Sequence, residues 1–437
     1  MGQRYGTLRW NHLFSDKLFS NVTFYYSDYD YELDFGNESD NKFDWNAQII
    51  NYSVKPEFSY FISPENAVRF GGQGIIYEFE PGNAIGVSEG ESSDFSLSKK
   101  YAIESAVYAE HEIKLDRFEI NYGLRYSHFN YTGEGNAYEF GEAEEPGLRR
   151  PVTDSKSYDQ WESIATYGNL EPRLSLKYQL SDANSIKASY NRTAQYIHLI
   201  SNTTASTPLD VWTPSTNNIK PQTAHQVALG YFQNLQNDNY ELTTEVYYKK
   251  MSHLVDYIEG ANLLLNEFLE GDLLEGDGRA YGLELMVKKN NGRFNGWASY
   301  TLGRTERQVE GVNGGEWYPS RFDQTHNLSV TGFYETKSRW SFSANFVIIS
   351  GTPTTFPTSR FEQQGYIIPH NANETRNNVR IPVYHRLDVS ATLDGKTKPD
   401  KRWKGQWVFS VYNVYNRRNP FSIYFQQDAN RWRLASR

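Results

Sequence analysis

The feature of this sequence that most restricts its fold is an alternation of apolar and polar side chains that is sustained along much of the chain. Phe118, Tyr122 and Leu124 lie on even positions, while Glu119 and Arg125 lie on the neighbouring odd positions. Successive side chains of a β-strand point to opposite faces, so a period of two predicts a strand with one apolar and one ionisable face. The same pattern recurs in three further stretches: 52–62, 170–180 and 340–348.

The connections between the predicted strands alternate between short and long. Short polar turns are predicted at 15–17, 63–66, 115–117, 181–184, 236–239 and 290–293. Long loops are predicted between them, at 81–98, 132–163, 199–222, 260–278, 308–322 and 351–382. Transmembrane barrels show this asymmetry, with short periplasmic turns and long extracellular loops. The sequence therefore predicts an all-β fold, a transmembrane up-and-down antiparallel β-barrel of about 16–17 strands, many longer than the ~9–11 residues that cross a bilayer.

Composition narrows the choice further. Aromatic residues make up 16% of the 437 residues, although only 38% are hydrophobic, an unusual pairing for a soluble core. No run of about 18 apolar residues predicts a transmembrane helix, but the alternating strands of a barrel give only a weak hydropathy signal. The net charge of −9 argues against a nucleic-acid partner, which needs a basic surface. The absence of cysteine excludes disulfides and thiolate metal sites.

Soluble all-β folds are the alternatives to a membrane barrel. A β-sandwich also alternates, but it hides its apolar face between two sheets. A propeller would repeat a motif every ~40–45 residues, whereas the short turns here are unevenly spaced and the segments between them share no motif. The pattern favours the membrane barrel over a sandwich, a propeller or a solenoid.

The stretch "YYSDYDYELDFGNESD" (25–40) places carboxylates on the same face as the apolar residues that precede them: Asp28, Asp30, Glu32 and Asp34. A charge facing lipid costs several kcal/mol, so two arrangements are open. Either residues 18–26 cross the membrane and the carboxylates lie above it, or a β-bulge near Ser27 changes the phase. Ligands two residues apart on a strand are separated by about 7 Å, which favours a solvated rim over a calcium site.

Eleven segments, in order along the chain, resemble the barrel of TonB-dependent outer-membrane receptors in the form common in Bacteroidota. Two landmarks among them are "YNRTAQYIHL" (190–199) and "NVYNRRNP" (413–420). The eleven segments are 8–33, 104–129, 169–201, 212–232, 245–261, 281–289, 296–308, 318–330, 349–357, 384–392 and 411–425. Each is weakly specific alone, but eleven in order are specific.

The resemblance implies a barrel of about 22 strands, a plug domain in its lumen and a periplasmic box pulled by TonB. Relative to that plan, the sequence shows no signal peptide, TonB box, plug or final aromatic strand. We therefore expect 1–437 to be a single barrel domain that is a fragment of the receptor. The resemblance also implies a multi-pass location in the Gram-negative outer membrane. The partners it implies are the TonB complex, reached through the missing plug, outer-membrane lipid and lipopolysaccharide, and a surface lipoprotein.

Motifs that would indicate an enzyme are missing. The nine histidines show no H-E-x-x-H spacing, and no G-x-S-x-G or phosphate-binding loop occurs. We expect no catalytic residue, no metal site and no cofactor. Two acidic stretches, 134–145 and 267–278, are expected to be solvated loops because their spacing departs from that of a calcium-binding loop.

Candidate binding residues fall into two groups. The ionisable face of the strands is expected to line the lumen, through Arg125, Glu171, Arg173 and Lys177. Aromatic residues in the long loops are the candidates for contact with solute, because flat rings stack on sugars or chelates: Trp161, Trp212, Trp317 and Tyr318.

Three functions remain open at this point. The resemblance favours a receptor that imports one bulky, scarce solute, such as a metal chelate, a vitamin, a glycan or a peptide, with energy from the proton-motive force. A structural barrel subunit of an outer-membrane complex is an alternative that the sequence does not separate from the first. A passive porin-like channel is less favoured, because porins lack the two quoted landmarks.

Overall fold

A computed structural model describes ten ranges of the chain: 2–37, 41–88, 91–200, 211–263, 266–363, 366–370, 375–396, 404–420, 423–428 and 431–436. These residues form twenty-eight β-strands and two short 3₁₀ helices, Leu269–Asp272 and Asn313–Gly315. The strands are β1 (Gly2–Leu13), β2 (Leu18–Asn37), β3 (Asn41–Ser63), β4 (Asn66–Ser88), β5 (Glu91–Ser96), β6 (Lys100–Leu115), β7 (Phe118–Thr132), β8 (Gly135–Phe140), β9 (Val152–Tyr158), β10 (Ser163–Ser181), β11 (Asn184–Gln195), β12 (Ile197–Ile200), β13 (Val211–Pro214), β14 (Gln222–Leu235), β15 (Tyr240–Tyr257), β16 (Leu273–Lys289), β17 (Phe294–Val309), β18 (Tyr318–Pro319), β19 (His326–Glu335), β20 (Trp340–Ile349), β21 (Pro353–Thr354), β22 (Ser359–Gln363), β23 (Tyr366–His370), β24 (Val379–Arg380), β25 (Tyr384–Asp394), β26 (Gln406–Val411), β27 (Ile423–Asp428) and β28 (Arg431–Ser436).

Sixteen of these strands form one continuous antiparallel wall in which each strand pairs with its neighbours. In spatial order they are β1, β2, β3, β4, β6, β7, β10, β11, β14, β15, β16, β17, β19, β20, β25 and β26. The short strands β5 and β18 add to this sheet, and the other ten form five separate two-stranded hairpins or pairs. The all-β fold and the antiparallel barrel wall predicted from the sequence are confirmed, and the number of wall strands agrees with the expected 16–17.

The two rims of the wall differ as the sequence predicted. At one rim the strands turn tightly, as at Gln236, Asn237 and Asp238, which all adopt left-handed backbone angles. Asparagine and aspartate tolerate this conformation better than most residues. At the other rim several strands run far beyond the length a bilayer requires; β3 and β4 have 23 residues each. The hairpins β8–β9 and β12–β13 and both 3₁₀ helices belong to this long-loop rim.

The outer face of the wall is apolar and exposed. Phe118, Tyr122, Leu124 and Tyr126 on β7 are between 43% and 50% exposed. The same character continues across the sheet, because Tyr126 pairs with Val107 on β6 and Leu170 on β10, both more than half exposed. A broad exposed apolar surface of this kind suits lipid rather than water.

In the acidic stretch of β2, side chains continue to alternate between the two faces of the strand without interruption. The register between β2 and β3 is unbroken from the pair Leu18–Tyr60 to the pair Asn37–Asn41, so β2 contains no bulge at Ser27. The opposite face of β2 turns inward, where Tyr31 packs in a buried cluster with Trp45, Ala47 and Ala84. The carboxylates therefore keep the phase of the apolar residues before them and lie beyond that segment, which is the first of the two arrangements left open by the sequence. Glu32 and Asp34 are exposed, but Asp28 is 4% exposed and accepts from Gln48 at 2.7 Å, so the predicted solvated rim is wrong for Asp28.

Candidate functional site

The inward face of the wall carries a network of ionic contacts. The Arg125 guanidinium lies 3.3 Å from a Glu104 oxygen and 3.4 Å from a Glu171 oxygen, and it donates to Gln73 Oε1 at 3.0 Å. Ser127 Oγ donates to the same Glu171 oxygen at 2.7 Å. Two carboxylates thus share one guanidinium, which satisfies charges that face a confined interior.

The four residues predicted to line the lumen lie on this inward face. Arg125 and Glu171 form the pair just described, and Glu171 is buried. Arg173 is exposed, and the Lys177 ammonium lies 3.7 Å from Glu119. Their role in the passage of a solute stays a prediction.

The hairpin β12–β13 folds inward from the long-loop rim. At its base, Tyr196 stacks on Phe129 of β7, with ring centroids 4.8 Å apart and planes within 1° of parallel. His198 is fully buried, with Nε2 2.8 Å from Ser215 Oγ and Nδ1 3.1 Å from Gln222 Nε2. Burial lowers the pKa of His198 to about 4, because the charged imidazolium loses its hydration. The histidine is therefore a neutral, hydrogen-bonded anchor of the hairpin.

A buried ion pair joins the helix Leu269–Asp272 to the wall. Lys100 at the start of β6 lies 2.8 Å from Glu270 Oε1. The other Glu270 oxygen accepts hydrogen bonds from Thr216 at 2.9 Å and from Asn218 at 2.7 Å. Burial alone would raise the pKa of Glu270, but the Lys100 ammonium and these hydrogen bonds together hold it below its ordinary value. One carboxylate thus connects the wall with two long loops.

The hairpin β8–β9 covers this ion pair. Arg150 donates its backbone N–H to Gly271 O at 3.0 Å and its guanidinium to Glu270 O at 2.7 Å. The hairpin then crosses the turn after β17, where Gly147 and Gly311 meet with positive φ angles of 90° and 84°. A Cβ on Gly147 would lie 2.8 Å from the Gly311 carbonyl oxygen, so this crossing requires glycine.

The Lys100–Glu270 pair is the first of three ionic centres among the long loops. The second lies at Asp256, which is 5% exposed at the end of β15. Tyr318 donates its hydroxyl to Asp256 at 2.7 Å, Arg307 lies 3.5 Å away and Arg376 forms a close ion pair. Arg376 also receives support from Asn313, whose Oδ1 accepts its backbone N–H at 2.6 Å. The segment that carries Arg376 is thereby tied to the wall.

A third centre lies beside it. The buried Asp323 contacts Arg304 at 3.5 Å and forms a close ion pair with Arg380. Glu306 accepts from Arg279 at 2.8 Å and from Arg304 at 3.2 Å. We call the long-loop segments that these three centres join the loop cluster. It consists of the described residues within 135–158, 196–221, 256–275, 309–323 and 375–380.

The four predicted loop aromatics lie in different surroundings. Trp161 is 44% exposed and packs on Tyr101, with ring centroids 5.5 Å apart. Trp212 packs against the cluster around Trp45, and Trp317 lies over the Arg279 guanidinium at 4.1 Å.

Tyr318 is 2% exposed, and burial and the nearby Asp256 carboxylate raise its pKa. Trp161 is therefore the most exposed of the four, Trp212 and Trp317 are half-buried, and Tyr318 is buried. Contact of any of the four with a solute stays a prediction.

The expectation that 267–278 is a solvated loop is wrong, because residues 269–272 form the 3₁₀ helix, β16 begins at Leu273, and Asp272 is 3% exposed. The carboxylates of this stretch have several partners. Glu267 accepts from Tyr138, Asp272 lies 3.1 Å from Arg149, and Glu275 lies 2.6 Å from His253. In the described part of the chain, no three histidine or acidic side chains are placed to hold a metal ion together.

Sequence reasoning missed most of the anchoring residues. Asp256 could have been found, because it is a lone carboxylate in the apolar run "LVDYI" (254–258), and a buried charge requires a partner. Lys100, Arg376 and Arg380 carry no comparable pattern, since their partners lie far away in the sequence: Lys100 and Glu270 are 170 residues apart.

Comparison with known proteins decides the family. The family model for a TonB dependent receptor-like β-barrel matches residues 2–416. The chain belongs to this family. TonB-dependent receptors work with TonB, and their barrels lie in the outer membrane of Gram-negative bacteria. The helices within the ten described ranges are all too short to span a membrane.

Solved TonB-dependent receptors share the fold at low sequence identity. The ferric yersiniabactin uptake receptor FyuA from Yersinia pestis is 14% identical with a TM-score of 0.64, over 99% of this chain and 59% of that one. The FrpB iron transporter from Neisseria meningitidis is 12% identical with a TM-score of 0.63, over 100% and 60%. The copper transporter OprC is 10% identical with a TM-score of 0.63, over 95% and 61%.

This chain thus spans about 60% of the length of these solved relatives, and the likeness shows the fold. A search of curated proteins finds no match.

Proposed function

We propose that residues 1–437 act as the barrel domain of an outer-membrane receptor that imports a bulky, scarce solute with energy supplied through TonB. The observation that supports this most strongly is the separation of the two faces: exposed apolar side chains such as Leu124 lie outside, and the Arg125–Glu171 network lies inside. Such a wall encloses a polar interior through which a hydrophilic solute can pass.

The loop cluster supports a receptor rather than an open channel. Buried ion pairs at Lys100, Asp256 and Asp323 fold the extracellular loops over the wall. A receptor needs preformed contacts to select its solute, and ordered loops supply them. Outer-membrane lipid, lipopolysaccharide and a surface lipoprotein are further partners of the proposed receptor, and its type is the one common in Bacteroidota.

Uptake with and without energy tests the proposal. A strain that lacks the gene should lose uptake of one member of a panel of metal chelates, vitamins, oligosaccharides and peptides. Restoring the gene should restore that uptake, and a protonophore or loss of TonB should abolish it.

The alternatives give different results in the same experiment. Uptake that persists without energy would indicate a passive channel. Unchanged uptake of the whole panel, together with loss of a membrane protein complex, would indicate a structural subunit.

A further inference from the structure

A cavity of about 680 Å³ opens within the loop cluster, and nothing described above fills it. Its walls come from four separate segments: the tip of the hairpin β8–β9 near Gly147, the segment 217–220, the ends of β15 and β16, and Glu310 after β17. Pockets that bind small ligands in proteins have volumes of ~300–1,000 Å³, so the cavity is of ligand size. It is formed entirely by loops and strand ends of this chain.

The strand β15 is distorted where it meets the cavity. The pairing of β15 with β16 shifts register between Met251 and Leu254, and His253 adopts a left-handed φ of 60°. A bulge redirects a side chain, and a left-handed non-glycine residue is strained, so such features concentrate at binding sites. The distortion places His253 Nδ1 at the cavity, 2.6 Å from Glu275 Oε1.

Some of the charged side chains that line the cavity have an ion-pair partner and others do not. Lys220 lies 3.4 Å from Glu275, so this lysine and His253 share one carboxylate. Glu142 and Glu310 also line the cavity, are exposed, and make no ion pair or hydrogen bond with any residue that the structure describes.

Arg150 also lines the cavity, and its guanidinium donates to the Glu270 backbone oxygen without an ion-pair partner among the described residues. The charges left to a ligand are therefore two carboxylates and one guanidinium, so the complementary ligand carries more ammonium groups than carboxylates.

The rest of the lining combines the amides Asn217 and Asn218 with aliphatic side chains. Leu148 is exposed and Val255 and Leu274 are half-buried, while Ile219 and Leu273 are buried behind them. His253 carries the sole aromatic ring among the cavity's side chains, all of which lie in the described ranges. Sugars and flat chelates are usually bound by stacking on aromatic rings, so this lining is better matched to aliphatic side chains.

We propose that this cavity binds a short peptide, with Glu142 and Glu310 receiving its ammonium groups and the aliphatic lining receiving its side chains. This assignment rests on the proposed function and names the class of solute. The bulged segment at His253, whose imidazole contacts Glu275, forms another part of the cavity wall.

Calorimetric titration of the full 437-residue chain, folded in detergent micelles, tests the assignment. The probe is the tripeptide leucyl-lysyl-leucine with an amidated carboxyl terminus, and the matched ligand is the same amidated peptide with an acetylated amino terminus and norleucine in place of lysine, which makes it neutral. The tripeptide should bind saturably at one site. The affinity for the neutral peptide should be lower by about tenfold or more, as expected when hydrogen bonds to a charged group are lost.

Substitutions of the carboxylates test whether the tripeptide binds in this cavity. The double variant Glu142→Gln/Glu310→Gln should weaken binding of the tripeptide by about tenfold or more. The matched control Glu144→Gln/Glu145→Gln alters two exposed carboxylates of the same loop that do not line the cavity, and it should bind as the parent does. Heat-dependent gel mobility checks that all forms fold alike.

Three results would overturn the assignment: no saturable binding to the parent chain, equal binding of the neutral peptide, or equal effects of the two double variants. None of these would affect the proposed import function if energised uptake of another solute is found. Conversely, peptide binding without energised uptake would leave the cavity assigned and refute transport.

Discussion

In the wall of the barrel, large apolar side chains are exposed and charges face the interior, whereas the loop cluster is held by ion pairs whose carboxylates are buried. Leu124 is half exposed on the wall, while Asp256 is 5% exposed among the loops. The wall depends on its ladder of backbone hydrogen bonds and on lipid around it. The loop cluster depends on a few side-chain contacts between segments that are distant in sequence. Substitutions should therefore act globally in the wall and locally in the loops.

The largest effect is expected for Asp256→Ala. Removing this carboxylate leaves Arg307 and Arg376 without their shared partner and Tyr318 without its acceptor. Breaking a buried ion pair from one side costs about 3–5 kcal/mol. Hydrogen exchange should show that the segments 313–323 and 375–380 open, while the wall strands keep their protection.

Glu259→Gln is the matched control for this change, because Glu259 contacts the same Arg376 but its side chain is 52% exposed. It should alter exchange little. Equal exchange in the two variants would contradict the idea that burial at Asp256 holds the loops.

A charge on the outer face should have the next largest effect. Leu124→Arg places a guanidinium in the middle of the lipid-facing run of β7, at a cost of about 2–4 kcal/mol. The inward-facing Ser175→Arg on β10 is the control and should be tolerated. Urea unfolding in lipid vesicles measures both, and a greater loss for Ser175→Arg would reverse the assignment of the faces.

The sequence predicted the wall because its information is local. The phase of residues 118–126 can be read from neighbours two positions apart, and the structure keeps that phase. The loop cluster follows no period, since Asp256 and Arg376 are 120 residues apart and meet only in the folded chain. For the same reason, the positions of Trp212 and Tyr318 in long loops were predictable, but their packing against Trp45 and Asp256 was not.

A pH dependence should distinguish the hairpin β12–β13 from the wall. The pKa of His198 is lowered from 6.5 to about 4, so the unfolded hairpin takes up a proton before the folded one does. Its stability should be complete above pH 6.5 and should fall as the pH drops from 6.5 towards 4. The stability of the hairpin at each pH can be measured from amide hydrogen exchange in β12 and β13, after correction for the pH dependence of the intrinsic exchange rates.

His198→Gln should remove that dependence, because an amide retains hydrogen bonding but does not titrate in this range. An unchanged pH profile in the variant would show that another group is responsible.

The smallest effect is expected at the crossing of Gly147 and Gly311. Gly147→Ala introduces a left-handed alanine, at about 1–2 kcal/mol, and also a contact of its Cβ with the Gly311 backbone. Gly260→Ala carries the same backbone cost, but its Cβ meets nothing within 4 Å. Trypsin should cleave faster after Arg149 in Gly147→Ala than in Gly260→Ala, and equal rates would remove the crossing from the account.

The orientation of the wall can be measured most directly with spin labels, since the chain contains no cysteine and each label can be placed alone. Labels at 118 to 126, in vesicles, would be tested for collisions with oxygen, which concentrates in lipid, and with a water-soluble nickel complex. We predict that oxygen collides most at even positions and nickel most at odd positions, because the even face of β7 lies in lipid. The reverse order, or no alternation, would contradict it.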